Sequence, residues 1–181
     1  MLFTKAEIEE GLIALVDDLV SAGVTSAIYV VGGAAIMLHA EREALTSDVD
    51  VLYSSAEIQA SVRSVSELKR WPETWLNDAA KMWVSHYDRD DDWEIRFTRG
   101  DVSICVAQPL LLLAMKLLAG RGQRDAMDID LLLEKCRIGS FSDAVAVFDK
   151  YYPTEKMAPR TLRQLHVRFD RVKNPGEDSS Q

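Results

Sequence analysis

Between Tyr29 and Tyr53 the chain changes periodicity twice within a short span, and few folds accept that order of changes. Residues 27–31 are an apolar, β-branched run that ends at Gly32-Gly33, after which residues 34–42 contain good helix formers and no breaker. Glycines at a strand-to-helix turn let the backbone approach a ligand closely, and the N–H groups of a helix start attract anions, so this is a phosphate-binding layout. The plainer reading of the glycine pair alone is a turn. Ser47-Asp48-Val49-Asp50-Val51-Leu52 then alternates polar and apolar. Strand periodicity over 48–53 places both carboxylates on one sheet face and points Val49 and Val51 into the core. Acidic residues are poor strand formers, and two side by side repel, so the pair needs a compensating environment. That is either the solvent of an edge strand or a hard divalent cation such as Mg²⁺, which takes carboxylate oxygens, waters and substrate phosphates.

The remaining segments surround this unit with helices and a hairpin. Thr4 is an N-cap with Glu7 three residues on, and Ile8, Leu12, Leu15, Val16 and Leu19 follow at helical spacing over 4–22. A polar helix over 57–69 stops near Trp71-Pro72, and residues 86–92 read as an acidic loop. Residues 93–98 and 102–107 alternate around Arg99-Gly100-Asp101, which predicts a hairpin and therefore a mixed sheet. From Pro109, residues 110–119 are apolar except for Lys116, which must snorkel out of a buried helix or meet an anion there. Gly120 and Gly122 break that helix. The next, over 124–137, carries Asp125 and Asp128 on one face, either as a helix-terminal charge pair near Arg121 and Arg124 or as functional groups. Helices over 141–151 and 157–172 complete the chain. The expected fold is α+β: a small mixed sheet core over 1–108 flanked by helices, a helical C-terminal part over 109–173 that completes the site, and a disordered tail over 174–181.

Charge and composition narrow the function classes. A chain of 181 residues with 48% hydrophobic and 28% charged residues has the balance of an ordinary globular domain. A net charge of −8 argues against a generally basic, nucleic-acid-coating surface. The charge is uneven, however: between Thr154 and Lys173 the basic residues Lys156, Arg160, Arg163, Arg168, Arg171 and Lys173 meet only Glu155 and Asp170. This is a solvated helix face that complements an acidic body, or a segment that holds RNA. Cys105 and Cys136 lack a CxxC or Cys/His array and predict buried thiols rather than zinc or a disulfide, while His39, His86 and His166 are scattered. No apolar run has membrane-spanning length, and Glu7, Glu9 and Glu10 follow the N-terminus closely where a leader would be basic and apolar. The expectation is a cytoplasmic protein with no membrane partner.

A glycine turn, two carboxylates fit for a metal, a buried lysine and two helix-borne carboxylates are together what nucleotidyl transfer requires. Val30-Val31-Gly32-Gly33-Ala34-Ala35 followed by Thr46-Ser47-Asp48-Val49-Asp50 resembles the nucleotidyltransferase superfamily, whose founding fold is that of DNA polymerase β. The run from Pro109 through Lys116 to Arg121, continuing Arg124-Asp125-Ala126-Met127-Asp128-Ile129, is similar to the AbiEii-type toxin-like branch, and Trp75-Leu76-Asn77-Asp78 resembles a less characterised group within it. The resemblance implies transfer of a nucleoside monophosphate from an NTP, with Mg²⁺ (or Mn²⁺) held by Asp48 and Asp50. It implies a nucleotide site of Gly32, Gly33, Thr46, Lys116, Arg121 and Asp125, with Asp128 completing the catalytic set. It also implies transfer RNA or another RNA as acceptor and a cognate antitoxin protein as partner. The chain departs from the pattern in three places. Ser103 and Cys105 stand on the strand where relatives carry a third carboxylate, leaving Asp78, Glu94 or none for that role. Ala34 follows the glycine pair where many members have serine, and Ala44 stands where relatives often have arginine. Two other functions share part of the pattern: aminoglycoside-type modification of a small molecule, and a catalytically silent nucleotide- or partner-binding module.

Overall fold

The structure is a computed structural model that describes residues 1–40 and 44–173, with side chains except at 124 and 171–173. Helix α1 (Lys5–Ser21) starts at its cap: the Thr4 hydroxyl accepts from the Glu7 backbone N–H, and the Glu7 carboxylate accepts from that of Thr4. Ile8, Leu12, Leu15, Val16 and Leu19 are buried along one face, as their spacing requires. Gly11 lies on the same face because two indoles need the room. A Cβ at Gly11 would stand 2.6 Å from Trp71 Cζ3 and 3.0 Å from Trp75 Cζ3.

Strand β1 (Ser26–Val31) leads into α2 (Gly32–His39), and then come β2 (Val49–Val51), α3 (Ala56–Lys69), β3 (Leu76–Asn77) and the hairpin of β4 (Trp93–Arg99) and β5 (Val102–Ala107). The five strands form one mixed sheet in the order β3-β2-β1-β5-β4. Strand β1 runs antiparallel to β2 and parallel to β5, β2 runs parallel to β3, and β4 antiparallel to β5. The fold is thus the expected α+β arrangement of a small mixed sheet with helices.

Register fixes which side chains share a face. Val51 lies opposite Val30, Val30 opposite Val106, and Glu94 opposite Val106, so these four point the same way. Glu94 Oε2 is 3.9 Å from His39 Nδ1 on α2, which identifies this as the α2 side. Val30, Val51 and Val106 are fully buried there. Asp50, opposite Val31 and Asn77, is on the other face together with Tyr29 and its partner Cys105.

Several boundaries differ from the sequence expectation. Helix α2 begins at Gly32 rather than at 34, because Gly32 takes φ +68° directly after the extended Val31. It ends at His39, and its expected extension over 41 and 42 lies outside the described residues, as does the expected tail over 174–181. Strand β2 is only three residues long, so Asp48 precedes it. Strand β3 was not expected at all: two residues are too few to show a period, and it is the neighbouring β2 that makes them a strand. The acidic loop closes in a short 3₁₀ turn, Asp90–Asp92, where buried Asp92 accepts from the Arg89 backbone N–H at 2.9 Å.

The chain divides into two compact units. The first comprises Met1–Val84 and Arg89–Gln108 and holds the sheet. The second comprises Ser85–Asp88 and the chain from Pro109 onward, with α4 (Pro109–Ala119), α5 (Gln123–Lys135), α6 (Phe141–Tyr151) and α7 (Pro159–Lys173). Leu111, Leu112, Leu113 and Leu117 of α4 are buried, as an almost wholly apolar helix must be. No described helix is long and apolar enough to cross a membrane.

Candidate active site

In the first unit the glycine turn and the acidic pair come together at the end of β1. The register places Asp50 opposite Val31, one residue before Gly32. A Cβ at Gly32 would meet Asp50 Oδ2 at 2.4 Å, so this position needs glycine for its positive φ and again for the approach of the carboxylate. A Cβ at Gly33 would stand 3.2 Å from Thr46 Oγ1. Thr46 is pinned by a pair of backbone hydrogen bonds with Phe3, at 2.7 and 3.1 Å, and its hydroxyl donates to the Asp48 carbonyl at 3.1 Å. The N-cap of α2 is Val31, which offers no side-chain oxygen to the first-turn N–H groups.

Asp48 lies outside β2 yet reaches the same face as Asp50. Its Oδ2 accepts from the Asn77 amide at 3.2 Å, and Asn77 is the direct register partner of Asp50. Its Oδ1 accepts from the Ser47 hydroxyl at 3.1 Å. The Asn77 amide is itself oriented, since its Oδ1 accepts from the Ala79 backbone N–H at 3.0 Å. Asn77 is therefore a site residue that the sequence did not mark. The Trp75-Leu76-Asn77-Asp78 resemblance was the available signal, but it named no role.

The donor set fits a small, hard divalent ion that keeps several waters: two half-buried carboxylates beside glycine backbone, with no imidazole or thiolate among them. Among the described residues no group of three or more His, Cys, Asp or Glu side chains is placed to hold a metal. The face that carries Asp50 has Cys105 on β5, and burial pushes that thiol's pKa up, so it stays protonated. Glu94 points to the α2 side, away from Asp50, and is bonded to Arg96 at 3.2 Å. Asp78 pairs with Lys81 at 3.1 Å.

In the second unit Lys116 meets its anion within the helical hairpin. Its Nζ lies 2.9 Å from Asp125 Oδ1 and 2.7 Å from Asp128 Oδ2, with only 8% of the side chain exposed. The Arg121 backbone N–H and Nε each donate to Asp125 Oδ2 at 3.1 Å, and Nη2 donates to Oδ1 at 3.2 Å. Burial works to raise the Asp125 pKa, but hydrogen bonds from Arg121 and Lys116 outweigh it and hold the carboxyl below the usual range. Of the two sequence readings for Lys116, the ion-paired one forms. The result is an ammonium and a guanidinium fixed by one buried carboxylate, with Asp128 and Arg121 reaching solvent at 30% and 42% exposure.

Residues 10–136 match a family described as "Nucleotidyltransferase of unknown function (DUF6036)". The matched stretch includes the glycine turn, Asp48, Asp50, Asn77 and the Lys116 cluster, and it stops before α6. No curated protein and no solved structure matches the chain.

Proposed function

The chain belongs to this nucleotidyltransferase family, and from that premise we propose that it moves a nucleoside monophosphate from an NTP onto an RNA hydroxyl, with transfer RNA as acceptor, in the manner of an AbiEii-type toxin held in check by a cognate antitoxin. The observation that carries the proposal is the Gly32–Asp50 approach: a positive-φ glycine, forced by a carboxylate at its back, opens a helix whose first N–H groups lack a side-chain cap. In this reading Gly32 and Gly33 admit the phosphates to the backbone. Asp48 and Asp50 hold Mg²⁺, and Asn77 and Ser47 keep the Asp48 carboxylate in place. The cation, when bound, neutralises the triphosphate and polarises its α-phosphorus. The acceptor oxygen forms the new P–O bond, the bond to pyrophosphate breaks, and the hydroxyl proton passes to a carboxylate. Within the second unit Asp125 orients Lys116 and Arg121; the resemblance assigns these two to the triphosphate and Asp128 to the catalytic set.

A second reading, a nucleotide-binding module without transfer, draws on one observation: β5 offers Cys105 on the face of Asp50, where a third carboxylate would strengthen the metal site. Incubation of the protein with each α-labelled NTP, Mg²⁺ and total RNA separates the two. Label on transfer RNA, absent with Asp48→Asn, is the expected result. Mg²⁺–NTP binding with no transfer to RNA, protein or small-molecule acceptors contradicts the proposal and leaves the silent module.

A further inference from the structure

Helices α5 and α7 of the second unit border an open groove of about 690 Å³, far larger than a single phosphate ion needs. Arg160, Arg163 and Arg168 line its α7 wall, and Gly122 and Gln123, at the start of α5, line the other. Arg168 is engaged by Asp130 across the groove. Arg160 and Arg163 are exposed and make no ion pair or hydrogen bond with any described residue. On a chain of net charge −8, an arginine pair on the wall of a large groove is charge without a partner among the described residues. At about 1.5 Å of rise per residue Arg160 and Arg163 stand about 4.5 Å apart along α7. With backbone phosphates spaced about 3.4 Å along a strand's axis, that separation serves two neighbouring phosphates rather than one. The opposite wall carries one carboxylate, Asp130, which Arg168 already engages, and its α5 N-cap is Gly122, which provides no side-chain cap to the first-turn N–H groups. Helix α7 lies beyond the residues that match the family, so nothing in that match assigns this surface a role.

We propose that the α5–α7 groove holds the sugar-phosphate backbone of the RNA acceptor, with Arg160 and Arg163 as its principal contacts. Guanidinium forks match phosphate oxygens two at a time, which makes arginine better suited than lysine to such a track. The choice of RNA over another polyanion rests on the transferase reading above, because that reaction requires an acceptor that presents a hydroxyl. Bases play no part in the contact, so the affinity is insensitive to sequence and falls with salt.

The test uses the full chain and an Arg160→Gln/Arg163→Gln double variant, both positions being exposed and unpaired among the described residues, so that the fold is retained by circular dichroism. Fluorescence anisotropy with labelled, unfractionated transfer RNA is recorded between 50 and 200 mM salt, and Mg²⁺–NTP binding is measured on both proteins by calorimetry. The expected result is RNA binding by the parent chain, weakened about tenfold or more in the variant, with the slope of log affinity against log salt shallower by about 1.4 to 1.8. Equal RNA affinity in the two proteins, or no RNA binding by the parent chain, overturns the groove. Capture of a polyglutamate peptide with no binding of RNA also overturns it and assigns the surface to an acidic protein. Loss of Mg²⁺–NTP binding in both proteins, with the RNA result intact, would sink the transferase reading and leave the groove standing.

Discussion

At the scale of single residues, Gly32 and Lys116 carry the sharpest consequences. Gly32→Ala places a methyl 2.4 Å from Asp50 Oδ2 at a backbone φ of +68°, so both strain and collision oppose it. We expect a loss of about 1–3 kcal/mol in urea unfolding, together with loss of transfer activity. An unchanged unfolding midpoint would show that the carboxylate moves aside freely. Lys116→Met strands part of the charge on Asp125, whose side chain is 1% exposed, and should cost about 3 kcal/mol or more. The same substitution has a pH signature. Because the folded Asp125 pKa is depressed, its contribution is complete above the ordinary carboxylate value of about 4 and is lost as pH falls through the lowered folded value. Removing Lys116 takes away one cause of the depression, so acid unfolding should begin at higher pH in the variant. Coincident acid-unfolding curves for the two proteins would mean that Lys116 contributes nothing to holding the carboxylate.

At the scale of elements, the readable features were those with local causes. The α1 cap was legible in Thr4 and Glu7, the β4–β5 hairpin in its Arg99-Gly100-Asp101 turn, and the burial of α4 in its leucines, because each is written in neighbouring residues. What depended on distant neighbours was not legible. Strand β3 exists because β2 pairs with it, and Asn77 matters because that pairing carries its amide to Asp48. The face assigned to Asp48 and Asp50 followed from alternation, although Asp48 reaches it through Asn77 from outside the strand. The sequence left Asp78 and Glu94 equally open as third ligands; only register turns Glu94 to the α2 side. Packing can also reverse a local preference. Alanine is favoured over glycine in a helix by about 1 kcal/mol. Yet Gly11→Ala puts a Cβ 2.6 Å from the Trp71 ring, and crowding a filled core costs about 1–3 kcal/mol. Gly11→Ala should therefore lower the thermal midpoint; a rise would show that the Trp71 and Trp75 rings yield.

At the scale of the whole molecule, a balanced composition conceals a division of labour: one unit carries a sheet with a half-buried acidic pair, the other a helical set with a buried lysine and an arginine-lined groove. Cys105 is buried as expected, whereas Cys136, at the C-cap of α5, is only half-buried, which corrects the expectation of two buried thiols. Burial pushes the Cys136 thiol up to about 11 and raises Cys105 as well. At pH 8 the thiolate fraction of Cys136 should be about a hundredfold below that of an ordinary cysteine, and labelling by a disulfide reagent correspondingly slow until the chain unfolds. Fast labelling of the native protein would contradict that burial. The central claim is that Asp48 and Asp50 form a metal-dependent nucleotide site, and calorimetric titration of each NTP with and without Mg²⁺ tests it most directly, on the parent chain and on Asp48→Asn and Asp50→Asn. The account predicts NTP binding that requires Mg²⁺ in the parent and is lost in both variants, while their unfolding free energies stay within about 1 kcal/mol of the parent. Mg²⁺-independent binding, or equal affinity in the variants, would contradict it.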